Sequence, residues 1–266
     1  MAGVSPDPLA PLVGLPGVAD AVRRAREAVV ALHRHPVNRT GWAASAAEAA
    51  LRAARASAAL DGAELARADG VVSDPVLAGA VRVAEATGRL LGTWRTAPLQ
   101  ALARLHVLAA ADLGDTDSRT DSRADSGADS GADSGADSGA APGRPVRGTE
   151  RLALLAELVT GGTAVPAPVL VAVVHGELLT LEPFPSANGV VARAAARLAA
   201  ISSGFDPRGL AVPEVGHLRT GAAYRDAARG FATGTPEALA AWIRHCCDQW
   251  VMGAREGRSI ADARAK

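Results

Sequence analysis

An all-α bundle is the fold this sequence predicts, on three observations. Apolar residues recur at helical spacing through most of the chain. Helix-start and helix-stop residues fall at the ends of those periodic runs. No segment carries the sustained alternation of a half-buried strand, and short Val-rich pieces such as "GLAVPEV" would pair only locally.

The elements follow in order. "GVADAVRRAREAVVALHRH" puts Val18, Val22, Ala25, Val29 and Leu32 on one face. "GWAASAAEAALRAARASAALDG" is a second helix, stopped by Gly62 as a C-terminal glycine. "SDPVLAGAVRVAEATGRLL" opens with Asp74 as N-cap and Pro75 in the first turn. "APLQALARLHVLAAADL" follows. Past a break come "TERLALLAELVT", "PAPVLVAVVHGELLTL", the helix of "LEPFPSANGVVARAAARL", "LRTGAAYRDAARGFAT" and "TPEALAAWIRHCCDQWVMGAREG". In the last, Thr235 caps and Pro236 starts the helix. The expected organisation is an N-terminal helical segment over 1–40, helices over 41–114, an insertion over 115–145, a core over 146–257 and a tail over 258–266.

The insertion, "DTDSRTDSRADSGADSGADSGADSGAAPGRP", repeats Thr/Ala-Asp-Ser-Gly/Arg. It has no large apolar side chains to offset ordering entropy, so it is expected to be disordered. Calcium binding through Asp115, Asp117 and Asp121 is the rival. The repeat lacks the closing glutamate of an EF-hand loop.

Composition narrows the function classes. The 266 residues carry 28 Lys and Arg against 28 Asp and Glu, so nothing points to nucleic acid or an anionic membrane. Lys266 is the single lysine. Cys246 and Cys247 are adjacent, read as small helix-packing residues in a reducing compartment. The N-terminus lacks a basic start and is broken by prolines, unlike a signal peptide. "APVLVAVV" is too short to span a bilayer. A cytoplasmic protein is expected.

The chemistry concentrates in residues 181–198. A helix preceded by Ala187-Asn188-Gly189 exposes unpaired backbone N–H groups, and with the helix dipole these suit a phosphate. Gly189 permits close approach; Asn188 tolerates unusual torsions and offers an amide. Arg193 lies about one turn in, and Arg197 one turn further on the same face.

This stretch resembles the Fic (Fic/Doc) family signature, His-Pro-Phe-x-Asp-Gly-Asn-Gly-Arg-x-x-Arg. Pro183, Phe184, Asn188, Gly189 and Arg193 match. His175 matches a histidine often found in the preceding helix. "LARLHVLAAADL" looks like the family's Leu-His helix, and "YRDAARGFATGTPEALAAWIRH", with Tyr224, like its C-terminal pair. "ASAALDGAEL" resembles the inhibitory motif Ser/Thr-x-x-x-Glu-Gly/Asn, with Ser57, Asp61 and Gly62. Together these pieces span most of residues 40–255.

The resemblance implies a Fic-like helical bundle with at most a small β-hairpin flap, which would align a target segment. It implies AMP transfer from ATP, with Mg²⁺, to a hydroxyl of an unknown target protein. The signature histidine would be the base, the acidic residue the metal ligand, and the Gly-Asn-Gly backbone with two arginines the phosphate cradle. Glu182 stands at the base position, Ser186 at the metal position and Val190 at the first arginine. A positioned general base contributes roughly 10²–10⁴-fold, and one preorganised charge partner about 2.7–4 kcal/mol. Three such exchanges point to impaired transfer with residual nucleotide or phosphate binding at Ala187, Asn188, Gly189 and Arg193. Two alternatives stand beside this: an active transferase using Glu182 as base, and a non-catalytic interaction module. The sequence specifies neither the target nor the oligomeric state.

Overall fold

The structure, a computed structural model, describes residues 7–65, 74–113 and 141–265. The described residues fold into helices without a strand. The expected all-α class is therefore met. The repeat over 115–140 lies outside the described residues. No hairpin flap occurs among the described ones; the chain after the insertion instead makes one backbone bond to the signature turn, from Val146 N–H to the Pro183 carbonyl at 2.7 Å.

Short α1 (Ala10–Val13) leads into α2 (Val18–His33) and α3 (Pro36–Thr40). The apolar face read from α2 is buried throughout. Next come α4 (Trp42–Leu60), α5 (Pro75–Thr96) and α6 (Pro98–Ala110). Helix α4 ends in a Schellman turn: Ala63 N–H bonds the Ala58 carbonyl and Gly62 N–H the Ala59 carbonyl. Gly62 sits at φ +88°, where glycine is favoured. Asp74 does two jobs here. One oxygen caps Leu77 N–H of α5, and the other accepts from Glu64 N–H, tying the chain after α4 to the start of α5.

Helices α7 (Thr149–Glu157), α8 (Ala167–Leu181) and α9 (Asn188–Ser202) follow, α7 closing through a π turn at Leu158–Gly162. The α8–α9 hairpin is the centre of the molecule. Every residue of α9 from Val190 to Ala200 is buried. Helices α4, α5 and α6 pack on α9. The final three are α10 (Pro213–Arg219), α11 (Gly221–Phe231) and α12 (Pro236–Arg264). Helices α11 and α12 cover α8, and α12 runs along α2. Trp242 anchors α12 through its indole N–H to the Ala172 carbonyl at 2.8 Å.

Several boundaries differ from expectation; α5, for one, runs past Leu91 to Thr96. "LRTGAAYRDAARGFAT" is not one helix: the chain breaks at Thr220 between α10 and α11. Helix α12 passes Gly253 and Gly257 and ends at Arg264. Both glycines are places of close packing. A Cβ at 253 would strike the Val212–Pro213 backbone, and one at 257 the Leu210 carbonyl. No helix among the described residues is long and apolar enough to cross a membrane.

Candidate functional site

The site is the turn joining α8 to α9. Helix α8 ends with Glu182 at φ +44°, and α9 is entered through Ala187 at φ +56°. Among the described residues these are the two non-glycine positions with positive φ, and they bracket one turn. A β-carbon in that region costs about 1–2 kcal/mol; such strain gathers where geometry is functionally constrained.

The turn is braced from inside. Asn188 Oδ1 accepts from Phe184 N–H at 2.9 Å, and its amide donates to the Phe184 carbonyl at 2.7 Å. The Asn188 side chain thus shapes the turn and does not face a ligand, which corrects its expected role as an offered amide. Phe184 is buried and stacks on His106 of α6, ring centroids 4.5 Å apart. His106 Nδ1 in turn accepts from Gly143 N–H.

The bracing aims the start of α9 into a cleft of about 380 Å³, lined by Asp61, Val76, Leu113, Glu182, Asn188 and Gly189 among others. Val191 N–H is the first amide of α9 with a backbone partner, the Ala187 carbonyl. The amides of Asn188, Gly189 and Val190 precede it, as orphan donors at a helix start do.

Asp61, from the end of α4, occupies this mouth. Its carboxylate lies against Gly189, where any Cβ would collide with it. It also lies 2.7 Å from the guanidinium of Arg193. Arg193 is 3 % exposed and fully engaged: Nε donates to Ser57 Oγ at 2.8 Å and another nitrogen to the Ser57 carbonyl at 2.9 Å. Ser57, Asp61, Gly62, Gly189 and Arg193 therefore form one assembly across α4 and α9.

Behind Arg193 is a buried polar chain of which only His175 and Tyr224 were singled out from sequence, each separately. Arg193 donates to the Tyr224 hydroxyl at 3.4 Å, and that hydroxyl lies 2.8 Å from His175 Nε2. An arginine only donates, so the Tyr224 oxygen accepts from Arg193 while its O–H donates a hydrogen bond to His175 Nε2. His217 Nδ1 meets His245 Nε2 at 3.2 Å beside them. Burial first, then the neighbouring Arg193 and His245, push His175 down to about 3. His217 is lowered well below its ordinary value, also first by burial. Burial raises the Tyr224 hydroxyl to about 12.

The other expected residues fall out as follows. Glu182 is exposed at the cleft rim. Ser186 is half-buried in the turn and does not line the cleft. Val190 is buried and borders the cleft. Arg197 is not a second cation for the mouth: Glu214 holds it bidentately, at 3.2 and 2.8 Å, with the Gly209 and Ala211 carbonyls. Cys246 and Cys247 are free and buried in α12. No group of three or more His, Cys, Asp or Glu side chains among the described residues is placed to hold a metal ion.

The chain matches no known family model, and no curated protein sequence matches it.

Proposed function

We propose that this chain is a Fic-like protein whose nucleotide cleft is disarmed for transfer and closed by its own Asp61. The observation that carries the reading is the placement of Asp61. A carboxylate from α4 sits against the backbone at the start of α9 and pairs with Arg193, where the phosphate of a nucleotide would draw on the same donors. Withdrawal of Asp61 releases one contact of Arg193, which Ser57 and Tyr224 still hold in place, and uncovers the amides of Asn188, Gly189 and Val190 for an anion of the nucleotide class.

The cleft does not fit a resident Mg²⁺. Its carboxylates are Asp61, engaged with Arg193, and Glu182 at the rim. Ser186 offers no ligand to the cleft, and Val190 brings no charge. Binding of ATP is accordingly expected to be weak and to depend little on Mg²⁺, and transfer of AMP to a target hydroxyl to be impaired.

The test is calorimetry of the full chain with ATP, with and without Mg²⁺, for the wild type and Asp61→Ala. Heat from Asp61→Ala alone, or stronger from it, supports the reading; silence from both at millimolar nucleotide removes it. Labelling with ATP carrying a radioactive α-phosphate tests whether Glu182 serves as a base. The triple variant Glu182→His, Ser186→Asp, Val190→Arg should gain self-labelling.

A further inference from the structure

Beside the cleft, between α4, α5 and α9, lies a half-open cavity of about 260 Å³. Its walls are mostly apolar, with Trp42, Ala46 and Ala50 from α4 and Ala84, Gly88 and Leu91 from α5, while the paired Arg197 and Glu214 and the engaged Arg193 also border it. A Cβ added at Gly88 would meet no atom within 4 Å, so the cavity is open there. Trp42, at its rim, is 40 % exposed, whereas Trp94, Trp242 and Trp250 are buried.

A second hollow of about 550 Å³ is lined by His33, Arg34, Arg39 and Arg208. Arg208 also lines the apolar cavity, so it stands where the two meet. Its guanidinium lies 5.8 Å from the Trp42 ring and donates to the Asn38 carbonyl at 2.6 Å. Both contacts orient the charge without neutralising it. The nearby carboxylate, Asp206, pairs with His33 at 2.7 Å and accepts from the Leu210 and Ala211 amides. The ion pairs among the described residues include none to Arg34, Arg39 or Arg208.

We infer that these two cavities, which share Arg208, bind one anionic single-chain amphiphile, its tail between α4, α5 and α9 and its head group on Arg208, Arg34 and Arg39. Apolar walls reward burial of a hydrocarbon chain. Guanidinium groups free of protein carboxylates suit a carboxylate or phosphate head. A tail cavity of about 260 Å³ falls at the small end of ligand pockets, so it takes one chain and not two. The tail cavity shares Val190 with the cleft and also touches Ser57 and Arg193, but Arg34, Arg39, Arg208 and Gly88 do not line the cleft, so variants at these four positions test this site apart from the nucleotide reading.

The probe is dodecanoate, titrated below its micelle concentration into the full chain, with heat and tryptophan emission both recorded. Saturable one-to-one binding with a blue shift from Trp42 is expected. A Cβ at Gly88 meets no atom, and Gly88→Leu brings apolar bulk to the cavity mouth while replacing a helical glycine, so it should melt no lower than the wild type. It should weaken binding at least about tenfold. Arg208→Gln should weaken dodecanoate about tenfold and leave uncharged dodecanol unchanged. Absence of saturable binding up to about 1 mM overturns the site. So does binding that neither variant alters, or equal binding of dodecyltrimethylammonium.

Sedimentation with phosphatidylglycerol vesicles separates the sources of the ligand. Vesicle binding abolished by Gly88→Leu makes a lipid the donor of the chain, and dodecanoate binding without vesicle binding makes it a free acid. Vesicle binding that survives Gly88→Leu, with no dodecanoate binding, is surface adsorption and overturns the proposal.

Discussion

The carboxylate of Asp61 occupies the space that a side chain at residue 189 would fill. Asp61 closes the C-terminus of α4 and Gly189 lies in the first turn of α9, and only glycine lets them meet.

Gly189→Ala must displace Asp61 and break its 2.7 Å contact with Arg193. Stranding a fully buried charge costs about 3–5 kcal/mol. The Asp61 side chain is 26 % exposed, so water enters and the expected loss is nearer 1–3 kcal/mol. Chemical denaturation should show similar losses for Gly189→Ala and Asp61→Ala. The double variant should be little worse than either, because one interaction is removed twice. Additive losses would mean the residues act separately.

Arg197 and Glu214 are both buried and hold each other bidentately. Arg197→Ala leaves Glu214 without a cation, and a loss of about 3–5 kcal/mol is expected. Arg197→Met with Glu214→Leu should recover most of it, since a well-packed apolar pair removes both charges. Thermal melts of the single and double variants read this directly.

The buried histidines set a pH dependence. His175 is held near 3, and His217 and His245 also lie below the ordinary 6.5, burial being the first cause in each. Below pH 6.5 the unfolded chain therefore takes up protons that the folded chain refuses. Their effect is absent above about pH 7, and stability falls as pH drops from 6.5 toward 3, by up to about 1.4 kcal/mol per pH unit for each histidine. Urea denaturation at pH 7.5 and 5.5 should differ accordingly. His175→Gln, which keeps a hydrogen-bond partner for Tyr224 without titrating, should flatten the dependence by about one proton.

Ala187 holds φ +56° at the entrance to α9. Ala187→Gly relieves that strain, partly offset by the greater freedom of glycine in the unfolded chain. A net gain of roughly 0–1 kcal/mol in denaturation is expected. A clear loss would show that the Ala187 methyl contributes packing that outweighs the strain.

Helix ends were legible wherever the signal was local. Asp74-Pro75, Thr235-Pro236 and Gly62 each cap their own backbone, and all three do so in the fold. The helix read as far as Gly257 runs on to Arg264, because a glycine there admits a neighbour's backbone from residues 40 or more positions away and does not stop the helix. The cleft was half legible. Asp61, Gly189 and Arg193, singled out by resemblance to two motifs and not by periodicity, do meet in the fold. The engagement of Arg197 by Glu214 and of Asn188 by Phe184 depends on how loops fold back, and no periodicity reports that. The histidine chain from α8, α10 and α12 is assembled only by tertiary packing.

The central claim is that Asp61 closes an anion cleft at the start of α9. Titrating ATP into Asp61→Ala and into Asp61→Ala with Arg193→Gln tests it most directly. The account predicts that Asp61→Ala binds ATP at least about tenfold more tightly than the wild type, and that Arg193→Gln abolishes the gain. Equal affinity in the wild type and Asp61→Ala, or binding indifferent to Arg193, would contradict it.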